Sequence, residues 1–529
     1  MKKMKYKYLI FSVLLAVVYL TSCTEDWEKH YNTSEGIKSD LNLYEYIQSQ
    51  PDLSTFTQML QIAGYDSVLS KPQTYTVWAP VNSGLVNVDL TDSVAVTDIV
   101  KNHISRFSYP TSGIDSKTVF MVDKKFLMFK RTASGFSFGG KILLQSNTAT
   151  SNGILHTVDG YVPYLSNIWE FIGKTPGLDS LKAYLYSQST SIFDKVASVE
   201  IGTNDQNQAI YDSVIIFSNP VLNKIGQLQI EDSTFAAILP NNTAWTKVYE
   251  LIKSNYKTLA KDGGAEQQRL NTQWALVQNL VFKFKNINTE PTMFDSLVST
   301  TGSVFRPSAY LFEGATKNTL SNGLAYVTDS LRFKAADSWQ QAIKVEAENS
   351  GYGRSFLFSY LYVRSSLGSI FNVSNNKYLV SEPTTVSKTT PNSITFPIPN
   401  TLSGKYNIYC VFVPSSIVSA ESTKQYKARF NLSYVNADGD QVNNAAITLT
   451  HGISTTTGTI AGTFITDASV ITKMYVTQID FPYCNIYTKK SAISDITVKL
   501  KVENAAIITE TVKYDRNLRI DYIILEPVQ

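Results

Sequence analysis

An internal repeat divides most of the first two thirds of this 529-residue chain into two copies. Residues 43–47, followed by Pro51, recur 125 residues later as residues 168–172, followed by Pro176. Each segment reads apolar, aromatic, acid, aromatic, isoleucine. Repetition at a fixed offset indicates one structural unit used twice. The chain therefore has several domains, each with its own core.

Each copy continues with one helical pattern and two strand patterns. Apolar residues three or four apart predict helices over residues 53–69 and 178–196. A strand that ends in proline follows, at Pro80 in the first copy. An Asn-Gly pair and an alternating strand close each copy, and we expect the pair to supply the positive φ of a hairpin turn. The two pairs are Asn152-Gly153 and Asn322-Gly323.

The first copy, over about residues 39–166, resembles the fasciclin domain family, a compact β/α module. Residues 76–82 are similar to the family's T-x-F-A-P-T-N segment and residues 152–159 to N-G-x-x-H-x-I-D. The resemblance implies cell adhesion and contact with matrix or polysaccharide, and it implies no catalysis. The motif residues, which we interpret as structural, are Pro80, Asn82, His103, Asn152, Gly153 and His156.

The two histidines leave one alternative open. A histidine beside an apolar strand is more often a hydrogen-bonded core residue than a ligand. No second His or Cys stands at ligand spacing nearby. In the second copy Leu280 and Tyr326 replace both histidines, and residues 210–229 and 286–308 are extra loop or strand material.

The last third has a different pattern, with short strands separated by Gly, Asn and Ser turns. This pattern predicts a β-sandwich or jelly roll. Its first and last strands resemble those of galactose-binding-like domains, a group that includes carbohydrate-binding modules. No Trp follows Trp339, which weakens a sugar-binding interpretation. The predicted strands are residues 343–348, 356–364, 393–398, 404–413, 426–435, 474–481, 496–502 and 518–525.

Two pairings in this domain are left open. In galactose-binding-like domains, acids of the first and last strands often hold structural Ca²⁺, so the resemblance suggests a site at Glu346, Glu348 and Asp521. The alternative places these acids on the solvent face of edge strands. Cys410 and Cys484 can form a disulfide in an exported protein, or remain free thiols packed as small hydrophobic groups.

The N-terminus carries an export pattern. Residues 1–7 are basic and residues 9–20 are apolar, a run too short to span a bilayer. Residues 20–23 then resemble a bacterial lipobox, which implies lipidation of Cys23; the alternative is an ordinary signal peptide with an incidental cysteine. The acidic residues after Cys23 resemble the surface-export signal of Bacteroidetes lipoproteins, or are a solvated tether. We expect an outer-membrane lipoprotein that faces the cell exterior.

Composition and motifs argue against two classes of function. Net charge is +3, but four lysines lie in the export segment, and no cluster of Lys and Arg marks a nucleic-acid surface. Residues 135–139 satisfy G-x-S-x-G, but an extended run follows instead of the helix that a nucleophile elbow requires. We predict no catalytic residue and no cofactor other than the calcium considered above. An unrecognised hydrolase with two scattered carboxylates is the remaining enzymatic alternative.

The sequence therefore predicts a multidomain α+β protein, with two fasciclin β/α modules followed by an all-β jelly-roll sandwich. The expected function is non-enzymatic glycan binding or adhesion, as an accessory of an outer-membrane glycan importer. The partners would be a membrane, through the lipid, and a polysaccharide or surface protein complex. The alternative is a structural subunit that binds no sugar. The expected segments are residues 1–22 (signal), 23–38 (tether), 39–166 and 167–342 (modules) and 343–529 (sandwich).

Overall fold

A computed structural model describes residues 37–203, 209–284, 290–384, 390–488 and 491–528. Cys23 and the whole predicted export segment lie outside these residues. In the described part of the chain, no helix is both long and apolar enough to cross a membrane. The chain forms two compact units, and neither is continuous in sequence. The first joins residues up to 167 with residues 229–232 and 320–322, and the second contains the rest.

The first module places helices on one face of a seven-stranded sheet. The sheet order is β2-β1-β7-β6-β5-β4-β3, and the neighbours β1 and β7 are parallel. The helices are α1 (Leu43–Ser49), α2 (Ser54–Ile62), α3 (Tyr65–Leu69) and α4 (Ser93–Lys101). The strands are β1 (Tyr75–Pro80), β2 (Ile104–Ser105), β3 (Ser116–Phe120), β4 (Phe126–Thr132), β5 (Gly135–Phe138), β6 (Lys141–Thr150) and β7 (Gly153–Val158).

Strand β1 is buried along its whole length because both of its faces are covered. Val77 and Ala79 pack into the helical core, whereas Trp78 belongs to a second apolar cluster. The Trp78 ring stacks on Phe138 at a centroid distance of 4.2 Å. The predicted helix over residues 53–69 is broken at Gly64, whose φ of +70° ends α2 before α3 begins.

The second module repeats this parallel pair of strands. Strand β10 lies parallel to β15 with Phe235 opposite Gly323 and Pro240 opposite Thr328, as Tyr75 lies opposite Gly153 in the first module. Its sheet order is β11-β10-β15-β14. The helices are α5 (Ile168–Lys174), α6 (Asp179–Ser187), α7 (Leu222–Ile225), α8 (Asn242–Lys253) and α9 (Gly264–Val277). The sheet strands are β10 (Thr234–Pro240), β11 (Val281–Phe284), β14 (Thr316–Leu320) and β15 (Gly323–Thr328).

The predicted helix over residues 178–196 is wrong beyond Ser187. There the chain forms a long antiparallel hairpin of β8 (Thr190–Thr203) and β9 (Ala209–Ser218). β-branched residues and phenylalanine dominate its start, so strand propensity outweighs the helical spacing. A further short pair, β12 (Leu297–Val298) and β13 (Val304–Phe305), falls in the other predicted insertion.

The C-terminal domain is a sandwich of two antiparallel sheets. One has the order β18-β19-β28-β21-β26, with β16 on β28; the other has β17-β20-β27-β22-β23-β24, with β25 on β22. The first sheet contributes the fully buried side chains Tyr406, Ile408 and Phe412. The centroid of the Phe412 ring lies 6.4 Å from that of Phe430 in the second sheet. The strands of the first sheet are β16 (Ile343–Glu346), β18 (Ser359–Ser365), β19 (Lys377–Pro383), β21 (Gly404–Phe412), β26 (Thr472–Phe481) and β28 (Leu518–Pro527).

One strand predicted for the sandwich is wrong. The expected strand over residues 356–364 is two strands in different sheets, separated at Phe358, whose φ is +51°. The strands of the second sheet are β17 (Ser355–Leu357), β20 (Ser393–Pro397), β22 (Lys427–Val435), β23 (Gln441–Ile447), β24 (Ile453–Ser454), β25 (Phe464–Ile465) and β27 (Lys499–Asn504). The predicted fold class, multidomain α+β with a terminal sandwich, is confirmed.

Candidate functional site

Asn82 joins the end of β1 to the helices of the first module. Its Oδ1 accepts a hydrogen bond from Thr55 N at 2.9 Å, and its Nδ2 donates to Pro51 O and Ser54 Oγ, both at 3.0 Å. Pro80 ends the strand two residues earlier. In the second module Asn242 accepts from Ser180 N at 2.9 Å. Because Ser180 is the repeat counterpart of Thr55, the same bond is made twice.

Asn152 makes a second connection of this kind. Its Oδ1 accepts from Leu43 N at 2.8 Å, and its Nδ2 donates to Leu69 O and Lys71 O at 2.7 and 2.8 Å. These backbone groups belong to the ends of α1 and α3, where intrahelical partners run out. The motif asparagines therefore connect helices and strands through side-chain hydrogen bonds.

Gly153 is required for close approach, not for a positive φ. A Cβ at this position would lie 2.2 Å from Tyr75 O, on the neighbouring strand. Gly153 is absent from the residues with positive φ among those described, which corrects the turn prediction for this Asn-Gly pair. At Gly323 in the second module, a Cβ would lie 1.9 Å from Phe235 O.

Both motif histidines are buried with both ring nitrogens hydrogen-bonded. His103 contacts Ile99 O at 2.7 Å and accepts from Val162 N at 2.9 Å. His156 contacts Tyr109 O at 2.9 Å and accepts from Asn147 N at 3.2 Å. Burial lowers the pKa of each imidazole to about 4, so both are neutral at pH 7. Neither nitrogen pair is left to bind a metal or a substrate.

The three acids of the sandwich converge on one turn. Asp521 accepts from Ser374 N at 3.1 and 3.2 Å, and Ser374 Oγ donates to Glu346 Oε1 at 2.7 Å. Asn375 Nδ2 donates to Glu348 Oε1 at 3.2 Å. Burial, with the charges of the two glutamates, raises the pKa of Asp521 to about 6 despite the bond from Ser374. Asp521 is therefore buried, whereas Glu346 and Glu348 are partly exposed.

The donor chemistry fits a hard cation only in part. The Oε2 atoms of Glu346 and Glu348 are buried with no hydrogen-bond partner in the described structure, and such oxygens suit Ca²⁺. Asp521, however, uses both oxygens on Ser374, and Lys344 Nζ lies 2.8 Å from Glu346 Oε1. Across the described residues, no group of three or more His, Cys, Asp or Glu is arranged to hold a metal ion. Calcium at Glu346, Glu348 and Asp521 therefore stays a prediction.

The two cysteines are free thiols, which overturns the disulfide alternative. Cys410 is fully buried in β21, where burial raises its pKa, and it pairs with Met474 and Ile523 on the neighbouring strands. Cys484 lies outside the strands, and its N–H donates to Lys257 O at 2.8 Å. The sequence placed both residues near strands but did not fix their separation.

The G-x-S-x-G string lies in β-structure. Residues 135–138 form β5, and the next element is β6, so Ser137 is not on a strand-to-helix elbow. The Ser137 side chain is buried in this sheet.

Two tyrosines are exposed on the edge strand β18, a feature that the sequence analysis did not single out. Tyr360 and Tyr362 are 50% and 39% exposed. They are two residues apart, so their rings project from the same face about 7 Å apart. Glu382 lies directly opposite Tyr360 in the pairing, and Arg364 lies over the Tyr362 ring at 5.3 Å. We call Tyr360, Tyr362, Arg364 and Glu382 the tyrosine row.

One segment of the chain matches a known family. Residues 51–162 match the family model of the fasciclin domain. No curated protein matches the chain in sequence.

Three solved structures are similar to parts of the chain. The FAS1 domain pair of the insect cell adhesion molecule fasciclin I is 14% identical, with a TM-score of 0.21, and the match covers 54% of this chain and 98% of that one. The xylan-binding domain of carbohydrate-binding module family 22 is 12% identical, with a TM-score of 0.20 and coverage of 35% and 92%. A family 35 carbohydrate-binding module from Clostridium thermocellum is 10% identical, with a TM-score of 0.17 and coverage of 36% and 99%.

Proposed function

We propose that this chain is a non-catalytic cell-surface protein that binds a polysaccharide through the tyrosine row of its C-terminal sandwich. The exposure of Tyr360 and Tyr362 on one strand face carries the proposal. Tyrosine rings offer flat apolar area, and their hydroxyl groups add polar contacts at low conformational cost. The fasciclin domain match at residues 51–162 supports an adhesive role for the rest of the chain.

The row combines apolar and polar groups in the way that a pyranose chain requires. Two rings about 7 Å apart can each pack against the C–H face of a sugar unit. The guanidinium of Arg364 and the carboxylate of Glu382 flank the rings and can bond to hydroxyl groups. Tyr409, in the same sheet, is less exposed, and its ring packs edge-on against Tyr475 at a centroid distance of 5.5 Å.

The cellular context is part of the same proposal. Lipidation at Cys23 would anchor the protein without a membrane-spanning helix, since each buried CH₂ adds about 0.8 kcal/mol. The acidic residues after Cys23 would direct it to the outer face of the outer membrane. Polysaccharide held there would be delivered to a glycan importer.

Replacing both exposed tyrosines tests the proposal. We expect the purified protein to be retarded in affinity gels by at least one soluble polysaccharide from a panel of xylan, β-glucan, galactan and mannan. The Tyr360→Ala/Tyr362→Ala double variant should bind about tenfold or more weakly, since 1.4 kcal/mol corresponds to a factor of ten. The control Tyr409→Ala should bind as the unmodified protein does. Equal binding by the double variant would exclude the row.

A structural subunit that binds no sugar is the second candidate, and the β8–β9 hairpin favours it. Ile192 and Ile216 lie directly opposite each other and are 59% and 49% exposed, and exposed apolar clusters often mark protein interfaces. An Ile192→Ser/Ile216→Ser variant should then lose co-purification with its envelope complex. Unchanged co-purification, together with polysaccharide retardation, would reject this candidate.

Calcium binding remains a prediction. If Glu346, Glu348 and Asp521 hold Ca²⁺, millimolar CaCl₂ should raise the melting temperature by a few degrees over EGTA, because a ligand of the native state stabilises it. Glu346→Gln/Glu348→Gln should abolish this shift, and Glu526→Gln should preserve it. An identical melting temperature in CaCl₂ and EGTA would leave the carboxylates only the role of holding the turn at Ser374.

A further inference from the structure

The second compact unit contains a groove that neither the repeat motifs nor the tyrosine row uses. Two adjoining cavities of about 530 and 500 Å³ share Asn271 and Ile486 in their linings. Helix α9 forms one wall, and loops of the sandwich form the other. Volumes of this size are typical of sites for small organic ligands.

One stripe of α9 faces the groove along its length. Gln267, Asn271 and Trp274 of α9, with the C-cap residue Gln278, line the cavities and are spaced by four, three and four residues, which places them on one side of the helix. At 1.5 Å per residue this stripe is about 16 Å long. It therefore suits an extended ligand better than a compact one.

The end nearest the start of the sandwich is rich in aromatic rings. Trp274, Trp339 and Tyr352 line it, and Lys224 Nζ lies 4.5 Å from the centroid of the Trp274 ring. The Trp339 side chain is 9% exposed, and its Nε1 is buried without a hydrogen-bond partner in the described structure. A buried donor in a cavity wall favours a ligand that carries acceptors.

Amides and hydroxyl groups dominate the rest of the groove. Gln267 Nε2 donates to Asn271 Oδ1 at 2.9 Å, which leaves Asn271 Nδ2 without a partner among the described residues. Thr258 and Gln441 continue the polar lining. The charged residues lining the two cavities balance, two lysines against two aspartates: Lys261, Lys344, Asp262 and Asp495.

We propose that this groove binds a neutral oligosaccharide chain, with a sugar ring at Trp274 and its hydroxyl groups on the amides of α9. Aromatic faces beside unpaired amides recognise a ligand with apolar C–H faces and many hydroxyl groups. The balanced charge disfavours acidic glycans. The inference rests on the proposed function, polysaccharide binding, and adds a second site to it.

Tryptophan fluorescence separates this site from the tyrosine row. The chain has six tryptophans, two of them in the groove, and none follows Trp339. We would titrate the purified protein with cellohexaose, xylohexaose and maltohexaose, and with a heparin hexasaccharide as the charged comparison. At least one neutral hexasaccharide should change the tryptophan emission, and heparin should not.

Variants then locate the binding by calorimetry. Trp274→Ala and Asn271→Ala/Gln278→Ala should each weaken it about tenfold or more; the second removes only polar groups and so guards against loss of folding. Gln273→Ala, on the same helix but outside the groove lining, and Tyr360→Ala/Tyr362→Ala should leave it unchanged. The groove proposal would be overturned if a glycan bound without changing the tryptophan emission and only the double tyrosine variant lost this binding. The proposed function would then still stand. Absence of binding to every glycan, polysaccharides included, would overturn both.

Discussion

The motif histidines are typical of the fold, yet their ring nitrogens are not free to bind a ligand. His103 and His156 each use both ring nitrogens on backbone groups inside the first module. His156 also lies 5.6 Å from the Trp78 ring, within the second apolar cluster. Their contribution is to satisfy buried backbone groups, which would otherwise cost about 1–3 kcal/mol each.

Stability should depend on pH through His156. Because burial lowers the pKa of folded His156 to about 4, from the 6.5 of a solvated histidine, the unfolded state binds an extra proton between these pH values. The stability that the neutral imidazole provides is thus complete above pH 6.5 and is lost as pH falls towards 4. A shift of this size corresponds to about 3 kcal/mol.

Comparison with His156→Gln isolates this effect from the carboxylates. We would measure the free energy of unfolding by denaturant titration at pH 7.5, 6, 5 and 4.5. At pH 7.5 it should be much larger for the unmodified protein than for the variant. The difference between the two should shrink steadily below pH 6.5. A difference that stays constant across this range would contradict the neutral, buried state.

At the scale of elements, both modules share a parallel pair of strands, β1 with β7 and β10 with β15. Asn82 and Asn242 fasten it to the preceding helix in the same way. Gly153 and Gly323 begin the second strand of each pair, where a neighbouring carbonyl leaves no room for a side chain. The repeat persists in these positions although the second copy has lost both histidines.

Gly153→Ala should therefore disrupt the β1–β7 pairing. The added methyl group would lie 2.2 Å from a backbone oxygen, so a strand must move. We expect a loss of more than about 3 kcal/mol in the free energy of unfolding, measured by denaturant titration.

Gly160→Ala is the matched control. Its Cβ would meet only the flexible end of Lys141, at 3.5 Å, and the change should stay within about 0.5 kcal/mol. Equal effects of the two substitutions would mean that β1 and β7 are not in the register described.

At the scale of the whole molecule, the compact units do not follow the order of the chain. Residues 229–232 belong to the first unit although they lie far beyond its main segment. A buried ion pair holds them there: Lys125 Nζ lies 2.6 Å from Glu231 Oε1, and the side chains are 4% and 8% exposed. Asn167 Nδ2 also donates to this carboxylate at 3.1 Å.

Glu231→Gln should destabilise the first unit strongly. It leaves the Lys125 ammonium buried without that carboxylate, a change that typically costs 3–5 kcal/mol. Lys125→Met/Glu231→Leu should recover most of the loss, because an apolar pair needs no desolvation. Asp115→Asn, in an exposed pair with Arg131, should change little. Thermal unfolding of the four proteins tests this, and a harmless Glu231→Gln would show that the pair does not hold the segment.

The sequence alone determined the repeat, the fold class and the structural character of the asparagines, because local patterns of apolar spacing, proline and Asn-Gly are written in consecutive residues. It misjudged the start of β8, where helical spacing and strand propensity compete, and the role of Gly153, which depends on a carbonyl 78 residues earlier in the chain. Only the tertiary structure gathered Glu346, Glu348 and Asp521 around Ser374, left both cysteines unbonded, and set a stripe of α9 against loops of the sandwich. Such groups are distant in sequence, and burial and backbone geometry decide whether they meet.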